Sequence, residues 1–363
     1  MPKNKEDPKK AIKELAEELV EDIRKGKNPH FDVPIRSLSN ISFDKHKRTL
    51  MLGNKTSERE LFNASHIKKF LQTLEVARAA KTQLLDTGKH ESLRGIFYMC
   101  KRTIPGTNIN IVDDQKETDS AIEDLELITN FSREQLHINA NKNGSVAGKV
   151  IIEDRGDTID WSKLGSGGWS IPSNVENIKF KKIDAKFVIY MEKAAVWERL
   201  HEDRVWEKLN CIILASQGQT TRGVRRLLQR LHTEHKLPVY VLTDLDPWGH
   251  YIYSVIKYGS ISLAHMAEES AIPGAKFLGI TVEDVEKYNL GKHKIKMNDN
   301  DLARLKQISE YDWFKDDKRW QKQFKQLKEM KAKVEIDALK TIGVSFISEK
   351  YLPEKIKNQD FLE

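Results

Sequence analysis

Glu192 closes the apolar run KFVIYM, and Asp244 and Asp246 follow the run PVYVLT in the segment DLDPWG. Three carboxylates at two strand ends converge if the strands are neighbours, because the crevice of an open α/β sheet lies at the carboxyl ends of its strands. Carboxylates brought that close raise one another's pKa and call for a cation between them. Hard oxygen ligands at i, i+2 spacing suit Mg²⁺, which keeps several waters and leaves room for phosphate oxygens. The competing reading is that Asp244 or Asp246 only caps the next helix, since aspartate is a favoured N-cap. Pro247 and Gly249 make the turn into that helix, and Gly249 lets the backbone pass close.

The segment ESLRGIFYMCKR decides which chemistry such a metal would serve. On a helix, Leu93, Ile96, Phe97 and Cys100 form a buried stripe, while Arg94, Tyr98 and Arg102, each four apart, line a neighbouring face. A tyrosine with the ordinary pKa of about 10 is a weak nucleophile at neutral pH. A cation one helical turn away favours the phenolate and could bind the phosphate under attack. Attack on DNA phosphate yields a phosphotyrosine ester, which conserves the backbone bond for resealing where hydrolysis would not. The plainer alternative is a half-buried core tyrosine beside a surface arginine row.

Between the two acidic strand ends lies ASQGQTTRGVRRLLQRLHTEH. Gly218 and Gly223 flank a polar turn, and the following helix carries Arg222, Arg225, Arg226 and Arg230. Such a turn at a helix start can hold a phosphate. It is equally an ordinary strand–helix connection whose arginines cover an exposed face. No Gly-Lys-Ser/Thr follows, so it is not a nucleotide-hydrolysing loop.

The elements that must position these groups are legible in outline. KFVIYME, CIILAS and PVYVLTD are short apolar strands without alternation, each followed by a helical segment, which indicates a mostly parallel sheet covered on both faces. Upstream, Ser57-Glu58-Arg59-Glu60 matches a capping box and predicts a helix from 57 to about 85. Further helices are predicted over 91–102, 119–128 and 132–136. LHINA, the polar turn NKNG and GKVIIED then read as a hairpin. Helices followed by a hairpin is the order of a winged-helix domain. At the N-terminus a lysine-rich stretch leads into an amphipathic helix with Ile12, Leu15, Leu19 and Ile23 on one stripe. Residues 26–56 read as extended. The span 317–340 reads as amphipathic helix, with Trp320, Phe324, Leu327 and Val334 inward and its lysines solvated.

Composition narrows the partners. Lys and Arg number 61 against 54 Asp and Glu, an excess of 7 that suits a polyanion. Two cysteines, Cys100 and Cys211, offer neither a disulfide framework nor zinc-ligand spacing, so a reducing interior is expected. No signal-peptide core and no bilayer-length apolar run is present. A cytoplasmic, nucleoid-associated protein is the expectation.

The order Arg-x-x-x-Tyr, then Glu after a strand, then Asp-x-Asp after another, is carried by LRGIFYMCKR, VIYMEKAAVW, ILASQGQTTRGVRRLLQRL and VLTDLDPWGHYI. From about residue 60 onward it resembles the A subunits of DNA topoisomerase VI, the type IIB enzymes, and their relatives, the meiotic double-strand-break transesterases. The resemblance implies a multi-domain α/β chain: a winged-helix (CAP-like) domain followed by a Toprim α/β domain with a mostly parallel sheet. The boundaries expected are 1–56 for an N-terminal extension, 57–155 for the winged helix and 156–363 for the Toprim domain with its C-terminal helices. It makes Tyr98 the nucleophile that becomes linked to a DNA 5′ end, with Arg94 positioning the scissile phosphate and Glu192, Asp244 and Asp246 holding Mg²⁺. It also implies double-stranded DNA as substrate and an A-subunit homodimer within an A2B2 heterotetramer. The tyrosine of one chain would face the metal site of the other, and ATP would be bound by the B subunit. The N-terminal amphipathic helix is either a B-subunit docking element or packed within the chain. Phe97 stands where relatives often carry a second tyrosine, which removes a rival nucleophile. Two other functions compete: a Toprim hydrolase that cuts with water, and a non-catalytic DNA-binding scaffold.

Overall fold

The computed structural model describes residues 7–363 apart from Gln217 and Gln219. The lysine-rich residues 1–6 and those two glutamines of the polar turn thus lie outside the described residues. Two compact units emerge. One is the described part of Met1–Asn40 together with Leu52–Asn141; the other is Ile41–Met51 with Lys142–Glu363.

In the first unit, α1 (Pro8–Arg24) starts at Asp7, whose side chain accepts from Lys9 N, with Pro8 in the first turn. Ala11, Ile12, Leu15 and Leu19 are buried, whereas Ile23 is exposed, so the apolar stripe stops one turn short of the sequence reading. The chain continues through β1 (His30–Pro34), then β2 (Ile41–Asp44) and β3 (Thr49–Leu52), a hairpin grouped mainly with the second unit, and returns in β4 (Thr56–Glu60). β4 corrects the helix expected from Ser57. Ser57 pairs with Val33 and Arg59 with Phe31 across an antiparallel ladder. Arg59 Nε also reaches the buried Asp124 at 3.2 Å. That ladder outcompetes the local capping signal.

The helix begins instead at Ile67. α2 (Ile67–Ala79) runs on into a π-helical turn over Ala80–Leu85. The short strand β5 (Glu91–Ser92), α3 (Leu93–Cys100), α4 (Gln115–Thr129) and β6 (Ile138–Asn139) complete the unit. The expected fourth helix over 132–136 is a turn. The core is formed by Phe31 stacked on Phe70 at 5.0 Å together with Val76, Leu84, Ile96, Cys100, Ile122, Leu125 and Ile138.

The hairpin expected over 136–154 is not one hairpin. β6 pairs in parallel with β5, β7 (Ser145–Ala147) enters a larger sheet, and β8 (Val150–Asp154) pairs with β9 (Asp157–Asp160). Each half of the apparent hairpin finds another partner. After β10 (Trp169–Ser170), β11 (Lys179–Ile183) closes a three-stranded antiparallel sheet, β11-β8-β9.

The second unit is built on a six-stranded sheet. β12 (Val188–Met191) leads to α5 (Ala194–Glu202) and α6 (Val205–Lys208). β13 (Ile212–Ala215) leads to α7 (Arg222–His235), and β14 (Val239–Leu242) leads to α8 (Pro247–Tyr258). Past α9 (Ala267–Ser270), β15 (Lys276–Gly279) leads to α10 (Val282–Lys287), α11 (Asp299–Ser309) and α12 (Lys318–Met330). The order is β10-β7-β13-β12-β14-β15, with β13, β12, β14 and β15 parallel and β7 antiparallel at the side. Every residue of β12 and β13 is buried, which explains their unbroken apolar sequence.

α12 ends at Lys331, which takes φ 49 without being a glycine. The chain then turns into Val334, which bridges Leu245. Val334 is therefore not the last turn of a helix, as its spacing suggested.

A buried ionic network ties the C-terminal end to this unit. Lys355 Nζ, in a residue 1% exposed, meets Asp284 Oδ1 at 2.9 Å and Asp360 Oδ2 at 3.1 Å. Tyr351 donates to Asp284 Oδ2 at 2.9 Å. Removing one partner of such a pair strands a buried charge. Lys355→Met is expected to cost about 3–5 kcal/mol of stability, read by chemical denaturation. A loss under about 1 kcal/mol would contradict this account of the network.

Candidate active site

α3 is only eight residues long, and its start is fixed by Ser92, whose hydroxyl accepts from Gly95 N at 3.0 Å. Ile96, Phe97 and Cys100 bury one face, and Leu93 packs partly against the same core. Burial pushes the Cys100 thiol up to about 12, with Glu75 adding to it, so this is an inert core thiol.

The opposite edge of α3 carries Arg94 and Tyr98. Arg94 Nη2 donates to the Tyr98 hydroxyl at 3.2 Å, and Nη1 donates to Gln115 Oε1 at 3.1 Å. The guanidinium also lies 5.1 Å from the Tyr98 ring centroid. Tyr98 is 60% exposed, whereas Tyr190, Tyr253 and Tyr351 are fully buried. The half-buried core tyrosine weighed against the functional reading is therefore not what is found. Arg102 does not extend the row. The helix ends before it, and its guanidinium pairs with the buried Glu75 at 2.5 Å.

The acidic residues lie in the other unit. β12 and β14 are adjacent and in parallel register, Met191 opposite Leu242, so Glu192 and Asp244 leave neighbouring strands at the same end. β13 lies on one side of β12 and β14 on the other, so this is where the strand order reverses. Burial, then Asp244, then Asp246 push the Glu192 carboxyl up to about 7. Burial also raises Asp244 and Asp246, against the amide and ammonium donors that lower them.

Asp246 caps α8: its Oδ1 accepts from Gly249 N at 2.6 Å. The cap weighed against a metal role is therefore present, and it engages one oxygen of the side chain. Gly249 is required sterically, since a Cβ there would lie 2.5 Å from the Asp244 carbonyl oxygen.

Asp244 is held on both oxygens. Ile336 N donates to Oδ1 at 2.8 Å, and Lys193 Nζ lies 2.9 Å from Oδ2. The same ammonium meets Glu335 Oε2 at 3.0 Å and Asp337 Oδ2 at 3.1 Å. Among the described residues no three carboxylates are drawn together tightly enough to chelate one ion in this arrangement. The donor set nevertheless fits Mg²⁺. It is all hard oxygen, and beyond burial the charges of Asp244 and Asp246 add to the rise at Glu192, a repulsion that a divalent cation would relieve.

Lys193, Glu335 and Asp337 were not singled out from sequence. Glu335-Ile336-Asp337 repeats the acid-x-acid spacing of Asp244-Leu245-Asp246, a signal that was available.

The arginines of α7 are largely committed internally. Arg225 and Arg230 are buried rather than covering an exposed face. Arg226 grips Glu176, and Arg230 pairs with Glu234 at 2.6 Å. Thr221 caps the helix, and the Tyr190 hydroxyl bonds the Ser216 and Thr220 hydroxyls at 2.6 and 2.8 Å.

Comparison with known proteins bears on both units. Residues 187–356 match the family of the Toprim domain of the topoisomerase 6 A subunit and Spo11. Residues 68–138 match "Type IIB DNA topoisomerase", and residues 141–184 match "All-beta domain in DNA topoisomerase VI alpha subunit". The last match spans the β11-β8-β9 sheet, which the sequence reading had divided between its domains. Among similar curated proteins are the A subunits of type 2 DNA topoisomerase 6 from Pyrococcus abyssi and Pyrococcus horikoshii. Each is 43% identical, with 98% of this chain and 96% of the relative covered. The counterpart from Methanocaldococcus jannaschii is 37% identical over the same shares.

Proposed function

The chain belongs to the family of topoisomerase VI A subunits, the DNA-cleaving and rejoining subunits of type IIB topoisomerases, and from that premise we propose which of its residues do the chemistry. The fold follows the family: a winged-helix-like first domain, an all-β domain, and a Toprim domain on a mostly parallel sheet.

Tyr98 is the nucleophile. Its oxygen gives up its proton and attacks a backbone phosphorus, the bond from phosphorus to the 3′ oxygen breaks, and the departing oxygen takes up a proton in return. The 5′ end stays on the chain as a phosphotyrosine ester. The reverse reaction reseals the strand without outside energy for the bond. Arg94, already on the hydroxyl, donates to a phosphate oxygen as charge builds there. Glu192, Asp244 and Asp246 would hold Mg²⁺, and the bound ion would supply positive charge to the phosphate oxygens and the departing 3′ oxygen.

Family membership brings two partners, DNA and the B subunit, and the DNA is taken to be double-stranded. The finer assembly belongs to the proposal: an A2B2 heterotetramer in which Tyr98 of one copy serves the acidic cluster of the other and ATP is bound by the B subunit. The chain would work on the chromosome, in the cytoplasm of a cell without a nucleus. Among the described residues no helix is long and apolar enough to cross a membrane.

The contact between Arg94 and the exposed Tyr98 carries this reading. Its test is covalent trapping: the chain, its B partner, an ATP analogue and Mg²⁺ meet supercoiled DNA and are quenched with denaturant. Protein is expected on the 5′ ends. Arg94→Lys keeps the charge but loses the planar fork that spans hydroxyl and phosphate. It should lower the trapping rate by about 10²-fold with no change in melting temperature. An unchanged rate would remove Arg94 from the site.

A further inference from the structure

The cation already standing on Asp244 belongs to the chain itself. Lys193 follows Glu192 directly and projects its ammonium onto Asp244 Oδ2, the oxygen that the Ile336 amide leaves free. Two further carboxylates flank the same ammonium, both carried by the segment 334–337. That segment is fixed to the acidic strand end by three backbone donors. Leu245 N reaches Val334 O at 2.9 Å, Val334 N reaches Leu245 O at 3.1 Å, and Ile336 N reaches Asp244. The segment 334–337 is thus a collar tied to Asp244 and to the strand end that carries it.

The three partners of the ammonium differ in exposure. The Asp244 side chain is nearly buried, while those of Glu335 and Asp337 are open to solvent. Asp337 also shares its second oxygen with Lys340 at 2.6 Å. A divalent cation that takes Asp244 Oδ2 meets the ammonium at the same atom, and two positive charges a few ångströms apart repel. The ammonium need not go far, because Glu335 and Asp337 already hold it at hydrogen-bond distance.

We propose that Lys193 is a resident counter-cation that neutralises Asp244 and is handed to Glu335 and Asp337 when a divalent cation enters the acidic cluster. This rests on the reading that Glu192, Asp244 and Asp246 hold the metal. Lys193 is then a positioning residue. It keeps the empty cluster from repelling itself, weakens metal binding by competition, and stays beside the loaded site.

The test is a thermodynamic cycle on Mn²⁺ affinity, read on the full-length chain from the electron paramagnetic resonance signal of free Mn²⁺. The four proteins are the parent, Lys193→Met, the pair Glu335→Gln with Asp337→Asn, and the combination. Lys193→Gln serves as a second neutral variant should the methionine fail to fold. Lys193→Met is expected to tighten Mn²⁺ by at least about fivefold, because a competing charge is gone.

Neutralising Glu335 and Asp337 should weaken Mn²⁺ at least about threefold more when Lys193 is present than when it is methionine. Handover requires that excess, since the displaced ammonium has lost its second seat. Equal weakening in both backgrounds means simple through-space attraction and overturns the proposal. A smaller effect with Lys193 present means the ammonium leaves for solvent, and overturns it too. A separate control guards the premise. If Glu192→Gln with Asp244→Asn leaves Mn²⁺ binding unchanged, the metal reading itself fails, and not merely the handover.

Discussion

Tyr98→Phe is expected to leave no trapped protein–DNA adduct and no strand passage, a loss on the order of 10⁴-fold or more. The reason is chemical rather than structural. Phenylalanine keeps the ring that lies against Arg94 but has no oxygen to form the ester. Tyr98 is 60% exposed and its ring contributes little to the core, so stability should change by under about 0.5 kcal/mol. The two rival functions separate on this variant. A Toprim hydrolase would cut as before and leave free 5′ ends. A non-catalytic scaffold would show no cleavage in the parent chain either.

Asp244→Asn has the second largest expected effect. Asparagine keeps an oxygen for the Ile336 amide, so the collar around the strand end should hold. The charge that draws a divalent cation is lost, and cleavage should fall by about 10³-fold or more. Chelation of Mg²⁺ from the parent chain should reproduce the loss. Combined with Tyr98→Phe the variant also reports on the dimer. In a mixed dimer of one Tyr98→Phe copy and one Asp244→Asn copy, a tyrosine that serves the partner's acids leaves one intact site and one empty site. That dimer should nick one strand. If tyrosine and acids work within one chain, both sites are broken and no nick forms.

What could be read from sequence divides along physical lines. β12, β13 and β14 were legible because a strand buried on both faces has no choice but an unbroken apolar run. Their carboxyl ends bring Glu192 and Asp244 together on the condition that β12 and β14 are neighbours, which the sheet order supplies. The Arg94–Tyr98 contact was legible because helical spacing of four is a local rule. The misread strands all took partners that local patterns do not reveal. Ser57–Glu60 carried a helix-capping pattern, yet β1 claimed it as a strand. The apparent hairpin at 136–154 split because β5, β13 and β11 each took a share.

The end of α12 was hidden for a different reason. Lys331 adopts a left-handed conformation that usually announces itself with glycine. With the helix read as running through 340, Glu335 and Asp337 could not be seen as neighbours of Asp244. Lys193 was overlooked because a lysine after an acidic residue looks like solvated surface until its three carboxylates are in place.

The most direct test of the central claim is to find the atom that carries the DNA. Trapped complexes, trimmed with nuclease and digested with protease, would be mapped by mass spectrometry. The account predicts one modified peptide, the one containing Tyr98, bearing a nucleotide through a phosphate on the tyrosine oxygen and linked at its 5′ position. A nucleotide on any other residue, a 3′ linkage, or cleaved DNA with no modified peptide would contradict it.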